Sequence, residues 1–254
     1  MAKIHRFIDN FNLSGKEIEI TGEIAHQMAK VLKLEVNEQV ELCDGKGKNV
    51  LGKIKSISKN TVTVEAEKIW TSEKDETRHV SLFCAVLKKE NFEWVVEKAT
   101  ECGVSEIVPV ITTRTIKMGL NMDRLIKIAK EASEQSGRSF IPKIHEPISF
   151  DQSLEMAKEN NCNIFFDAGG ESVFEKHCAG RRAEHSNSSA DEYVCFSNTD
   201  SPPINIFIGP EGGWTEEENQ KAKTAGFKIA SLGKLVLRGE TAAVVATYLS
   251  VNMK

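Results

Sequence analysis

Two glycine-rich stretches carry the residue types and spacing that could do chemistry. Residues 208–218 read IGPEGGWTEEE, and residues 231–243 read SLGKLVLRGETAA. Each follows an apolar run of strand character, INIFIG and KIASLG, and each leads into a segment of helical period. A glycine loop between strand and helix lets backbone groups approach a ligand closely, and phosphate is the usual one. Phosphate fits poorly here. No GK[ST] ending supplies a phosphate-binding lysine, and Gly209, Gly212 and Gly213 do not have the GxGxxG spacing. Thr215 and Glu218 have the spacing of a capping box, and Glu216 and Glu217 fill the same first turn. Those carboxylates already complement the positive end of the helix dipole. A neutral or cationic nucleoside gripped through backbone groups fits better, and S-adenosylmethionine is such a ligand. A tight turn in which Gly and Pro serve only backbone geometry would use the same residues.

The surrounding elements place both loops on one sheet. From His79 onward, apolar strand candidates (VSLFCAVL, EIVPVI, NIFFD, INIFIG, KIASLG) alternate with helical segments. ENFEWVVEKATECG has Phe92, Val95, Val96 and Ala99 on one face, NMDRLIKIAKEASEQSG has Leu125, Ile128, Ala129 and Ala132, and SLEMAKEN, TEEENQKAKTAG and ETAAVVATYLSV follow. That alternation predicts a largely parallel α/β sheet covered by helices, which binds ligands at the carboxyl ends of its strands. One strand–loop–helix–strand unit separates the two glycine loops, so they are expected to share a pocket. The first seventy residues read differently. A short helix in ITGEIAHQMAKVLKL, capped near Thr21, precedes the strands QVELCD, VLGKIKSIS and NTVTVEAEKIW, with DGKGK as a turn. His26 is expected to pack or cap in that helix. TSEKDETRH, residues 71–79, reads as a linker, and the polar segment between Cys178 and Pro203 as a surface loop.

Composition narrows the class. The chain has 254 residues, 40% hydrophobic and 28% charged, with a formal net charge of −4. The total gives no global sign of nucleic-acid binding, although a local basic patch is compatible with it. No apolar run is long enough to span a membrane, and MAKIHRFIDN has no signal-peptide core. The six cysteines form no CxxC pair and no zinc spacing. These features lead us to expect a cytoplasmic protein with reduced thiols, no membrane segment and no metal.

IGPEGGWTEEE followed by SLGKLVLRGETAA resembles the paired cofactor-loop motifs of the SPOUT superfamily of RNA methyltransferases, and more narrowly the bacterial 16S rRNA (uracil-N3)-methyltransferase family. The resemblance continues in EKATECGVSEIVPV, EASEQSGRSFIPKIHEP, HRF, AHQMAKVLKL and CDGKG, and covers nearly the whole chain apart from the linker and the 178–203 insertion. It implies a small N-terminal PUA-like β-barrel domain over residues 1–72. It implies an α/β SPOUT domain over residues 73–254, with a parallel sheet and a deep trefoil knot. It further implies S-adenosylmethionine as cofactor, a homodimer with pockets near its interface, and methylation of a uridine N3 in 16S rRNA of the small ribosomal subunit. The rival expectations are a SPOUT enzyme acting on another RNA base and a non-catalytic RNA-binding protein.

Carried over by position, the resemblance assigns the cofactor to Gly209, Pro210, Glu211, Gly212, Gly213, Leu232, Gly233, Leu237, Arg238, Gly239, Glu240, Thr241 and Ala242. Glycines would admit the adenosine, and Leu232 and Leu237 would wall it. The chain departs from the family's common Pro-Arg at Lys234-Leu235 and from its common Ala at Gly239. Uracil N3 carries a proton at neutral pH, so transfer needs the enolate-like form held in line with the donor. Arg138 is the candidate catalytic residue, a guanidinium able to hold O2 or O4, with Glu134 or Gln135 orienting the base. Arg6, Lys30, Lys33, Lys88, Arg114 and Arg138 are the candidate RNA-binding cations, and each by itself also reads as a surface charge.

Overall fold

The computed structural model describes residues 4–72, 78–116, 119–158, 162–172 and 203–252. Two compact units emerge: Met1–Asp75 with Lys130–Ile141, and Glu76–Ala129 with Pro142–Lys254. The excursion of 130–141 into the first unit is not legible from the chain's periodicity. Most of the linker, and the 178–203 insertion except Pro203, lie outside the described residues.

In the first unit, strands β1 (His5–Ile8), β2 (Glu17–Thr21), β3 (Gln39–Cys43), β4 (Lys48–Ile57) and β5 (Thr61–Thr71) form one sheet of order β1-β3-β4-β5-β2. The β3–β4, β4–β5 and β5–β2 pairs are antiparallel, whereas β1 runs parallel to β3. Alternation explains the core: Ile18 and Ile20 of β2, Val40 and Leu42 of β3, and Val62 and Val64 of β5 point inward and meet Phe7 and Met28. Helix α1 (Gly22–His26) continues into a π-helical turn, Gln27–Val31. Thr21 stands at the N-cap, but its side chain makes no capping bond, and His26 is exposed rather than packed.

The second unit holds β6 (Val80–Ala85), α2 (Lys89–Glu101), β7 (Glu106–Ile111), β8 (Lys143–Ile144), β9 (Ile148–Ser149), α4 (Phe150–Ala157), β10 (Cys162–Ser172), β11 (Ile204–Ile208), α5 (Glu216–Thr224), β12 (Lys228–Ser231) and α6 (Gly239–Asn252). Helix α3 (Met122–Ser136) starts in this unit. The sheet runs β12-β10-β11-β6-β7-β8, with β9 also on β7, and every pairing is parallel. Its central strands β6 and β11 are buried at every position, as continuous apolar strands of a parallel sheet covered on both faces should be. An aromatic cluster fastens the layers: Phe83 stacks on Phe207 at 4.5 Å, and Trp214 lies 4.3 Å from Phe165 and 5.4 Å from Phe150. Phe92, Val95, Val96 and Ala99 form the buried face of α2.

Cys43, Cys84 and Cys102 are free thiols. Cys162 is disulfide-bonded, which corrects the expectation that all thiols are reduced. Among the described residues, no helix is long and apolar enough to cross a membrane.

Candidate functional site

The loop after β11 is set by a few short contacts. Pro210 O accepts the N–H of Gly213 at 2.8 Å, closing a turn in which Gly213 has φ +70°. A Cβ on Gly209 would lie 3.0 Å from the Trp214 indole, so glycine lets this ring fold back under the loop. The indole Nε1 donates to Phe166 O at 3.0 Å, tying the loop to the neighbouring strand β10. Downstream, Thr215 and Glu218 complete the capping box: Glu218 N donates to the Thr215 hydroxyl at 3.2 Å and Thr215 N to Glu218 Oε2 at 2.8 Å. Glu218 is buried, and its Oε1 accepts Thr113 N at 2.9 Å, so the cap also anchors the turn after β7.

The second loop, after β12, runs into α6. Gly239 opens that helix against the first loop, since its Cβ would meet Gly209 O at 3.3 Å and Leu87 Cδ2 at 3.1 Å. Between the loops lies a cavity of about 770 Å³. All the expected cofactor residues except Thr241 line it.

A third strand end joins them. Strand β10 is longer than NIFFD suggested, and its register to β12 shifts between Phe166 and Glu171. Within that irregularity Asp167 and Ala168 face the cavity, while Gly170 comes so near Ala230 that a Cβ would sit 2.5 Å from its carbonyl carbon. Lys88 and Asn91, after β6, also line it. The sequence signal for the β10 contribution was the Gly-Gly pair immediately after Asp167-Ala168.

Cavity charges are mixed, with Lys88, Lys234 and Arg238 against Asp167, Glu211 and Glu240. Glu211 Oε1 accepts the backbone N–H of Lys88 at 3.2 Å. Asp167 Oδ2 accepts Gly169 N at 2.9 Å. The Cys84 thiol, fully buried in β6, is pushed well above the ordinary thiol range by burial first, then by the Glu211 and Glu240 carboxylates. It is no nucleophile here.

The expected RNA-binding cations separate into different settings. Lys30 and Lys33 are exposed in the first unit. Lys88 is exposed at the cavity. Arg114 is exposed but turns one nitrogen inward: Nη1 donates to Gly212 O at 2.6 Å and to Trp214 O at 3.1 Å. Arg6 and Arg138 are more enclosed than the other four. Arg6, 13% exposed, pairs with Glu41, its register partner, and donates to Asn49 Oδ1 (3.0 Å), Arg138 O (2.8 Å) and Ser139 Oγ (3.1 Å). Arg138 is 6% exposed and does not line the cavity. Both side chains are largely buried in the first unit. Glu134 there accepts Ile8 N at 2.7 Å, and burial raises its carboxyl above the usual range.

A parallel α/β sheet with a glycine-lined cavity at its strand ends has the build of a cofactor-binding domain. Residues 74–250 match the family model described as an RNA methyltransferase domain, and residues 20–67 that of an RNA methyltransferase PUA domain. The chain belongs to the ribosomal RNA small subunit methyltransferase E family. It is 31% identical to the Rickettsia conorii member over 248 residues, covering 96% of this chain and 93% of that one. The Bacillus subtilis member is 28% identical, with 89% and 86% covered. Among solved structures, a Legionella pneumophila methyltransferase in complex with the bound cofactor SAM superimposes with a TM-score of 0.80 at 26% identity, covering 97% and 96% of the two chains. A Neisseria gonorrhoeae ribosomal RNA small subunit methyltransferase E bound to S-adenosyl methionine gives 0.77 at 26% identity, with 96% and 95% covered.

Proposed function

We propose that this chain transfers a methyl group from S-adenosylmethionine to N3 of a uridine in 16S rRNA of the small ribosomal subunit. The observation that carries the reading is the cavity, built from glycine loops at adjacent strand ends in a chain of this family. Its volume, about 770 Å³, suits a nucleoside with an attached amino acid. The glycines expose backbone donors and acceptors, Leu232 and Leu237 supply apolar walls, and the mixed charges suit a zwitterion carrying an extra positive charge.

When bound, S-adenosylmethionine supplies an electrophilic methyl group on a sulfonium. The residues of the chain do the rest. The loops at 209–213 and 232–239 hold the donor in one orientation, which supplies the alignment that in-line transfer requires. Lys88, Lys234 and Arg238 are the cavity's cations, and in this reading they steady negative charge on uracil O2 or O4 as N3 loses its proton. Exposed Lys30 and Lys33 in the unit containing the PUA match suit the RNA backbone.

The test is methylation of small subunits lacking the modification, followed by nucleoside mass spectrometry. N3-methyluridine is the expected product. A different methylated nucleoside would assign the enzyme another base, and cofactor binding without any methylated RNA would make the chain a binding protein. A cytoplasmic homodimer belongs to the same reading, and a monomer boundary in sedimentation velocity at micromolar concentration would remove the dimer from it.

A further inference from the structure

The three cavity carboxylates are not equivalent. Glu211 Oε1 holds the Lys88 amide, and Asp167 Oδ2 holds the Gly169 amide. Glu240 differs: its Oε2 is shut off from solvent and has no hydrogen-bond partner, and the residue forms no ion pair among the described residues. A buried carboxylate oxygen without a partner is costly, and a nearby positive charge is what relieves it. Glu240 stands in the first turn of α6, where the helix dipole favours a carboxylate, but the dipole alone does not satisfy a buried oxygen. The upward push of the Cys84 thiol locates part of the Glu240 field at the carboxyl end of β6, beside the cavity.

We infer that Glu240 is the counter-charge for the cofactor's sulfonium, and thereby the residue that distinguishes the charged methyl donor from its neutral thioether product. The inference rests on the S-adenosylmethionine reading of the cavity. A sulfonium has no N–H or O–H, so a carboxylate acts on it through its field and needs no hydrogen bond. An ammonium group would instead favour exposed Glu211 or half-buried Asp167, whose carboxylates can still accept. Transfer of the methyl group leaves the sulfur neutral. The attraction to Glu240 then vanishes, and the product is held less tightly than it would be by contacts alone.

Calorimetry tests this with S-adenosylmethionine and S-adenosylhomocysteine on the wild-type chain and on Glu240→Gln. The substitution keeps the shape and removes the charge. The Kd ratio, homocysteine over methionine form, is expected to fall about tenfold, the size of one screened unit-charge interaction at close range. Glu240→Asp, which keeps the charge on a shorter stem, should give an intermediate ratio. An unchanged ratio in Glu240→Gln overturns the role of Glu240 while leaving the cofactor reading intact. Failure of the wild-type chain to bind either natural ligand overturns the cofactor reading itself.

Discussion

The Arg114 guanidinium holds the Gly212 carbonyl at 2.6 Å. The same nitrogen reaches Trp214 O, and the absent Cβ of Gly212 leaves room for the Arg114 Cδ, which would stand 3.3 Å from it. An arginine expected to touch RNA therefore braces the loop expected to touch the cofactor. Charge-assisted bonds to carbonyls are stronger than neutral ones, and two from one nitrogen fix a loop otherwise free to move. Arg114→Ala should weaken S-adenosylmethionine about tenfold through loss of this brace, the lower end of what a charged hydrogen bond contributes. Arg114→Lys, which keeps the charge on a differently shaped end, should fall between. Calorimetry at constant salt checks both, and unchanged affinity in Arg114→Ala would show that the loop holds its shape without the brace.

Gly212→Val probes the same spot from the other side. A branched side chain there must displace Arg114, and the expected result is loss of measurable cofactor binding with the fold retained. Calorimetry reads the first, circular dichroism the second.

Trp214→Phe removes the indole donor and leaves Phe166 O without its 3.0 Å bond in a buried setting. An unsatisfied buried carbonyl costs about 1–3 kcal/mol. For a chain of this size the Tm should drop by roughly 2–10 °C, measured by calorimetric melting. A drop below about 1 °C would mean that water or a shifted backbone replaces the bond.

Glu134 supplies a pH dependence. Burial raises its folded-state carboxyl above the ordinary Glu range, against the opposing bond from Ile8 N. A raised carboxyl contributes stability that is complete below the unfolded-state value and disappears as pH rises through the folded-state value. Glu134→Gln should therefore be more stable than the wild type at neutral pH, with the difference narrowing in acid. Urea midpoints at neutral pH and near pH 4 check the sign; a larger advantage in acid would refute it.

Arg138→Ala separates a catalytic from an architectural role. Truncating a residue that is 6% exposed, in a segment whose backbone receives Arg6, is expected to lower Tm, with activity loss following the fraction unfolded. A kcat reduced by orders of magnitude at unchanged Tm and cofactor affinity would return Arg138 to the reacting base.

Much of the site was legible because its determinants are local. INIFI and VSLFCA are buried throughout, as uninterrupted apolar runs demand. The Thr215–Glu218 capping box forms as its spacing prescribes. The sharing of one cavity by two loops follows from adjacent units of a parallel sheet, and the resemblance to a methyltransferase family rested on those same loops. Tertiary structure decided what depends on partners far away in the chain. It paired β1 parallel to β3, drew 130–141 into the first unit, bulged β10 so that Asp167 enters the cavity, and brought Arg6 and Arg114 onto carbonyls distant in the chain. Periodicity and capping are written into neighbouring residues, so a sequence displays them. The end of a long charged side chain goes where carbonyls and carboxylates from other strands converge, and only the folded chain brings those together.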